Sequence, residues 1–342
     1  MRQICIFAFA AVLAQAQAPW KAGPVQAKGV VDVYYSTGFR SHARNINLLH
    51  NFDDRINQPA LNMAVLSLDY SAGWLGAHVD AGAGRAFAIM SAGESATPLM
   101  QVFTQAYATF KPASWKGAAI DAGRFVTFAG AEVIESAANF NYSRSLLFTW
   151  CVPYHLFGIQ VKAPLGSQFR AGAQWAAGWN NVVSGATYKT AGVTGTWTGR
   201  RAAWTNTWYG GPDENKAGRA YRMLYDTVLT LDTDARTSAA INFDYLNDKS
   251  ESTVGVAGAV RMRLSNKTSI SSRCEILNDG AGATGAAQVL KEFTVTARYA
   301  FASRLLGFLE FRRDWSDRRF FDGRKSQPTL LMGLVAAIGR KR

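Results

Sequence analysis

Charged side chains recur at every second position of several short apolar segments in this sequence. In the segment 252–265, valines and a methionine occupy one parity, whereas Arg261 and Arg263 occupy the other. The segment 292–301 likewise sets Phe and Val residues against Thr residues and Arg298. Side chains two residues apart lie on the same face of a β-strand, so these charges would line one face. Rows of fixed charge attract or repel dissolved ions, which is electrostatic selection and not covalent chemistry.

The same alternation continues along the chain and predicts about sixteen strands. Charged residues make up only 18% of the sequence and aromatic residues 12%. No stretch beyond residue 18 is apolar enough for a transmembrane helix. The predicted strands are 29–37, 59–71, 75–85, 99–111, 116–127, 154–164, 168–179, 186–198, 201–210, 219–232, 236–247, 252–265, 267–277, 289–301, 304–315 and 328–339.

The links between these strands are short and long in turn. Links such as 112–115 and 165–167 are short, whereas 38–58 and 128–153 are long. Short turns on one side, long loops on the other and an even strand count are typical of an outer-membrane barrel. A soluble sandwich could bury the same apolar face as its core, but it gives no reason for this alternation. We therefore predict an all-β fold, a closed antiparallel transmembrane β-barrel of about sixteen strands, with a range of about 14–18.

Aromatic residues near the ends of the predicted strands support this interpretation. Membrane-spanning barrels carry aromatic girdles at both interfaces with the lipid headgroups. The aromatic residues assigned to such girdles are Tyr34, Tyr35, Tyr70, Trp74, Phe110, Trp115, Trp179, Trp208, Tyr209 and Trp315.

The first sixteen residues have the pattern of an export signal. A positive residue, an apolar run of about ten residues and a small-x-small cleavage site follow one another. We therefore divide the chain into a signal peptide, 1–16, and an outer-membrane β-barrel, 17–342, and expect it in the bacterial outer membrane. The mature chain keeps Cys151 and Cys274, which either form one disulfide or serve as two small apolar residues.

Charged residues on the strands are assigned to the barrel interior. An Arg or Lys facing lipid at the bilayer midplane costs about 2–4 kcal/mol, which forces these side chains inward. The arginines concentrated on neighbouring strands then favour a mild preference for anions, or they pair with nearby carboxylates and only stiffen the wall. The residues predicted to line the pore are Lys162, Arg170, Arg222, Asp226, Asp244, Arg261, Arg263, Arg273, Glu275, Arg298, Glu310 and Arg312.

Several motifs resemble those of an outer-membrane β-barrel porin family described as OmpL-like. The central block reads GRFVT at 123–127, AGAEVIES at 129–136 and NYSRSLLF at 141–148. Weaker matches are VDVYY at 31–35 and EFR at 310–312. The resemblance spans most of the mature chain and implies a porin-like barrel whose permeant is undefined.

The long segment 128–153 would be the third long loop of such a barrel. The resemblance implies that this loop folds into the lumen and narrows it, as the third loop of general porins does. Glu132, Glu135 and Arg144 would then place opposed charges at the constriction. The alternative is a loop that packs on the rim and serves folding alone.

The expected function is passive diffusion of small hydrophilic solutes through an outer-membrane porin that is weakly anion-leaning. The alternative is a non-conducting structural or adhesive barrel, since the sequence does not prove an open lumen. A hydrolase would need a nucleophile beside His78 and Asp80, and none is identifiable. We therefore expect no enzyme activity, no cofactor and no metal.

The expected partners are outer-membrane lipids, the outer-membrane assembly machinery and small solutes or ions. The sequence leaves open whether the chain also forms a homo-oligomer. The net charge of +13 also suggests nucleic acid. Arginines on alternating strand positions do not form a continuous binding stripe, however, so we expect no nucleic-acid partner.

Overall fold

The structure is a computed structural model that describes residues 20–39, 45–92, 98–183, 189–212, 221–248 and 251–339. The predicted signal peptide, 1–16, lies outside the described residues. Within the described ranges, no helix is long and apolar enough to cross a membrane.

Seventeen antiparallel β-strands form one sheet in the part of the chain that the structure describes. Sixteen of them, β2 to β17, close into a barrel in which each strand pairs with its neighbour in sequence and β17 pairs with β2. The prediction of a closed antiparallel barrel is therefore confirmed. The strands are β1 (Trp20–Ala22), β2 (Val25–Gly38), β3 (Gln58–Ala72), β4 (Leu75–Ala83), β5 (Phe103–Phe110), β6 (Ala119–Val126), β7 (His155–Pro164), β8 (Phe169–Ala176), β9 (Thr190–Thr198), β10 (Ala202–Pro212), β11 (Tyr221–Asp232), β12 (Thr237–Asp248), β13 (Glu251–Arg263), β14 (Thr268–Asp279), β15 (Gln288–Ala302), β16 (Leu305–Ser316) and β17 (Ser326–Ile338).

The short strand β1 continues the ladder at the seam where the barrel closes. β17 pairs along β2 as far as Ile338, which lies opposite Gly29. Two residues further along β2, Ala27 pairs with Trp20 of β1. β1 therefore occupies the edge of β2 that β17 leaves open at the short-turn end. The alternation of residues does not predict this strand, because three residues are too few for a periodic pattern.

The outer face of the barrel is apolar and the inner face is polar. On β12, Ile241 is 49% exposed, whereas its inward neighbours Asn242 and Asp244 are buried. On β17, Met332 and Leu334 point outward in the same way. This inversion of a soluble protein's pattern is what a lipid-facing barrel requires, because lipid solvates the apolar side chains.

Three aromatic residues assigned to the girdles lie inside the barrel instead. Tyr34, Trp179 and Tyr209 are buried in the interior. Tyr34 and Tyr209 occupy the same strand parity as buried inward residues. Nearness to a strand end therefore does not suffice to assign an aromatic residue to a girdle. By contrast, Trp74 and Phe110 are exposed at the short-turn end with ring centroids 5.2 Å apart, which fits an interfacial girdle.

Short helices occur only between strands among the described residues. α1 (Arg85–Met90) follows β4, and α2 (Leu146–Trp150) lies between β6 and β7. Ser145 caps α2 by accepting a hydrogen bond of 2.9 Å from the backbone N–H of Phe148. Three 3-10 helices are Pro98–Val102, Ala113–Trp115 and Ser136–Ala138.

The hydrophobic core lies within the barrel and is built around the segment between β6 and β7. Phe148 and Tyr154 from this segment pack with Phe52 from the link between β2 and β3. Leu146 and Leu147 pack on Leu277 of β14. The barrel interior is therefore filled in part by its own loops.

Candidate functional site in the barrel lumen

The segment 128–153, here called the inner loop, lies inside the barrel. Residues 136–149 are all buried, although they belong to a link between strands. A loop on the rim would expose part of this length to water. The inner loop therefore crosses the lumen.

Arg273 of β14 is the main ionic link between the wall and the inner loop. Its guanidinium lies 2.8 Å from Glu132 of the loop, 3.0 Å from Glu275 and 3.0 Å from Glu292. It also donates a hydrogen bond of 2.8 Å to the carbonyl of Ser143. A buried guanidinium with carboxylate partners on both sides holds the two surfaces in one fixed geometry.

Wall carboxylates accept hydrogen bonds from the backbone of the inner loop. Glu310 of β16 accepts from the N–H groups of Tyr142 at 2.6 Å and Ser143 at 3.0 Å. Glu275 accepts from Leu146 at 3.0 Å and Leu147 at 3.3 Å, which satisfies free N–H groups at the start of α2. Backbone N–H groups buried inside a membrane protein need hydrogen-bond acceptors, and the wall carboxylates supply them here.

The seam strand β2 anchors the other side of the inner loop. Asp32 accepts a hydrogen bond of 2.6 Å from the Tyr142 hydroxyl and one from the Ser136 hydroxyl. Asn62 of β3 donates to the same carboxylate at 2.8 Å. Further along the barrel, Asn242 of β12 accepts from the backbone N–H of Ala131 at 3.2 Å. The hydrogen bonds of the loop therefore run from β12 through β16 to β2.

Arg144 stabilises the inner loop from within. It is 1% exposed and donates hydrogen bonds to the carbonyls of Tyr142 and Ile134 in the same loop. Its guanidinium lies 5.1 Å from the centre of the Phe52 ring. Arg312 of β16 in turn donates to the Arg144 carbonyl at 2.6 Å. Arg144 thus presents no charge to the opening, contrary to the sequence expectation.

Glu135 interacts with a different wall from Glu132 and Arg144 of the inner loop. It is only partly buried, and the charge of Asp80 on the facing wall acts on it. Burial, and then the charge of Asp80, raise the pKa of the Glu135 carboxyl above its usual range. Glu135 therefore lies on the side of the loop that faces β4.

The wall formed by β3 to β7 carries a second set of polar residues. His78 lies 2.7 Å from Asp69 and 3.0 Å from Asp80, and its ring stacks on Tyr107 at 5.2 Å. On β7, the Lys162 amine lies 2.7 Å from Asp121. This wall is more open than the loop-covered wall: the side chain of Lys162 is 37% exposed, whereas that of Arg273 is 2% exposed.

The link between β2 and β3 also reaches into the mouth of the barrel. His50 bridges Asp53 at 2.7 Å and Asp314 of β16 at 3.0 Å. Burial and the nearby charge of Arg312 oppose the charged imidazolium, but these two carboxylates outweigh both and raise the pKa of His50 to about 9. His50 is therefore a cation at neutral pH and clamps this link to the wall.

All the strand residues predicted to line the pore lie on the inward-facing parity. They fall into two groups that the sequence did not separate. Those buried in the wall, most of them beneath the inner loop, are Asp226, Asp244, Arg273, Glu275, Glu310 and Arg312. Those at least partly exposed are Lys162, Arg170, Arg222, Arg261, Arg263 and Arg298.

A family model described as "Putative beta-barrel porin-2, OmpL-like" matches residues 24–338. The chain belongs to this porin family. The family is one of outer-membrane porins and not of enzymes, so this OmpL-like porin resides in the outer membrane. No curated protein sequence matches it.

Solved porin structures share the fold of this OmpL-like porin at low sequence identity. OmpT of Vibrio cholerae is 10% identical with a TM-score of 0.62, over 94% of this chain and 100% of that chain. An anion-selective porin from Comamonas acidovorans is 9% identical with a TM-score of 0.62, over 92% and 99%. A trimer form of Vibrio cholerae OmpT is 10% identical with a TM-score of 0.60, over 93% and 100%. At these identities the likeness establishes the fold alone.

Three residues that hold the interior of this porin were not predicted as site residues. Asp32 and Glu292 occupy the inward parity of β2 and β15, so the alternation alone could have identified them. His50 lies in an irregular link, where no periodic signal exists. Its role depends on the approach of Asp314, which only the fold brings about.

Proposed function

We propose that this protein is a passive diffusion pore for small hydrophilic solutes, with the inner loop narrowing the passage. The observation that supports this most is the unequal exposure of the two walls. Arg273, Glu275 and Glu310 on β14 and β16 are covered by the inner loop. By contrast, Asp69, His78, Gln105, Tyr107 and Lys162 remain partly exposed. The passage would run between the Glu135 side of the loop and the wall formed by β3 to β7.

We further propose a weak preference for anions. The lumen holds many carboxylates, but most are buried in the wall and bonded to the inner loop or to each other. The inward strand charges that reach water are mainly cationic: Lys28, Lys162, Arg170, Arg222, Arg261, Arg263 and Arg298, against Asp69, Asp232 and Glu251. Glu132 and Glu135 of the loop add negative charge, so the preference would be mild.

We also propose how the porin is exported and assembled. Residues 1–16 would direct export and be removed, and the assembly machinery would insert residues 17–342 into the outer membrane. The trimer form of the similar OmpT suggests a homo-oligomer.

A non-conducting barrel is the second candidate, and the deep burial of the inner loop favours it. Single-channel recording of the refolded mature chain in a planar bilayer separates the two. Discrete current steps, with a reversal potential shifted toward that of the anion in a tenfold salt gradient, support the proposed function. Steps with cation preference keep the pore and overturn the selectivity. Folded protein that inserts and never conducts overturns the pore.

A further inference from the structure

Three arginines form a cationic patch on the barrel wall below the inner loop. Arg263 of β13 lies opposite Ser269 of β14, and Ser269 lies opposite Arg298 of β15. In the next inward row, Arg261 lies opposite Ser271. Side chains at opposite positions on neighbouring strands have Cβ atoms about 4.5–5.5 Å apart. Three guanidinium groups and two hydroxyl groups therefore share one area of the inner surface, here called the arginine patch.

The arginine patch lies near the short-turn end of the lumen. Arg263 is the last residue of β13, and the turn that follows it is short. In an outer-membrane barrel the short turns face the periplasm. The patch therefore lies in the periplasmic half of the lumen, one inward row nearer the short turns than Arg273.

The patch arginines are not ion-paired as Arg273 and Arg312 are, although the charge of Asp232 on β11 acts on Arg261. Within the described ranges, no carboxylate lies within 4.0 Å of the guanidinium groups of Arg261, Arg263 or Arg298. All three are at least partly exposed, whereas Arg273 and Arg312 are each 2% exposed and ion-paired. Toward the short turns, the inward arginines of the wall thus change from ion-paired to not ion-paired.

The arginine side chains are held in position by contacts that leave most of their donors available. Arg261 stacks on Phe140 at 4.5 Å, and Arg298 stacks on Phe308 at 5.8 Å. Arg298 donates to the Ala137 carbonyl at 3.3 Å. A guanidinium carries five N–H donors, and stacking on a ring face uses none of them. The remaining donors of Arg261 and Arg298 are therefore oriented before any ligand arrives, whereas Arg263 donates to the Ala235 carbonyl of the turn at 2.7 Å.

We propose that the arginine patch is a binding subsite for phosphate-type oxyanions with several negative charges. Several convergent guanidinium groups suit adjacent phosphate groups, because each can bind two oxygens at once. A monovalent anion would engage only part of the patch and bind weakly. The inference rests on the proposed pore and extends it, since it names a class of solute that would pause in the lumen.

Tripolyphosphate is the probe for this subsite. In single-channel recordings it should interrupt the current, and the double variant Arg261→Gln/Arg298→Gln should raise the half-blocking concentration at least tenfold. Losing a charge-assisted bond to each arginine predicts a change of this size or more. The matched control Lys28→Gln/Arg170→Gln removes the same charge from other strands at the same end, and should change the block less than twofold. Equal loss of block in both variants would overturn the subsite in favour of a general field effect.

Direct binding distinguishes failure of the subsite from failure of the pore. Calorimetric titration of refolded protein with tripolyphosphate needs no conduction. Binding that the patch variant abolishes and the control retains supports the subsite, even if no current is seen and the proposed pore fails. An open channel that tripolyphosphate neither blocks nor binds overturns the subsite and leaves the pore intact. Gel electrophoresis of unheated samples checks that each variant has folded, because a folded barrel migrates as a compact species.

Discussion

Arg273 on the barrel wall and Glu132 on the inner loop form an ion pair at 2.8 Å across a sequence separation of 141 residues. Glu275 and Glu292 share the same guanidinium from the wall side. The guanidinium of Arg273 therefore joins the loop to the barrel and forms ion pairs with three carboxylates.

Replacing Arg273 with Gln should loosen the inner loop. Removing one member of a buried ionic group costs about 3–5 kcal/mol, because the remaining charges stay buried without a partner. We expect a lower unfolding temperature together with larger and noisier current steps. Arg313→Gln on the outward face is the control, and it should change neither. An unchanged step size in Arg273→Gln would show that the pair does not position the loop.

Replacing Gly333 with Val should displace the inner loop by a purely steric route. A Cβ at Gly333 would lie 2.5 Å from the ring of Tyr142, closer than any real contact. Overpacking of this kind typically costs about 1–3 kcal/mol. We expect a changed conductance with every charge retained. Gly258 is the matched control, because a Cβ there meets no atom within 4 Å. If Gly333→Val and Gly258→Val behave alike, the contact with Tyr142 is not what holds the loop.

The stability that His50 contributes should fall at alkaline pH. Its pKa is raised in the folded state to about 9, from an ordinary value of 6.5. The protonated His50 therefore contributes its full stabilisation below pH 6.5 and progressively less as the pH rises toward 9. We expect the unfolding temperature of the native chain to fall between these values. His50→Gln should lack this part of the pH dependence, and parallel curves for the two proteins would contradict the clamp.

The two cysteines should remain unpaired and react unequally. Cys151 is buried in the inner loop, where burial raises the pKa of its thiol, whereas Cys274 is exposed on the outer face of β14. They lie on opposite sides of the wall, so the disulfide that the sequence left open is not formed. Thiol labelling of folded protein in detergent should modify Cys274 and spare Cys151. Labelling of both before unfolding, or a shift on a non-reducing gel, would contradict this placement.

The strands were predictable because their signal is local. Alternation in segments such as 252–265 and 304–315 placed the strands within a few residues of β13 and β16. It also assigned charged residues such as Arg261 and Glu310 to the inward face, because lipid excludes charged side chains from the outward face.

The division of those inward charges into buried and exposed ones was not predictable. It depends on which strands the inner loop covers, and that follows from pairings such as Glu310 with the backbone of Tyr142, 168 residues apart. Alternation along one strand contains no information about a loop from elsewhere in the chain. For the same reason the sequence treated Arg273 and Arg298 as equivalent, although one is neutralised and the other is not.

The position of β1 fixes how the barrel can close. If β17 slid two residues along β2 toward the short turns, Ile338 would need the place opposite Ala27 that Trp20 already holds. β1 thus limits how far β17 can extend along β2. The backbone pairing of β1 with β2 therefore prevents this shift in register, whatever side chains β17 carries.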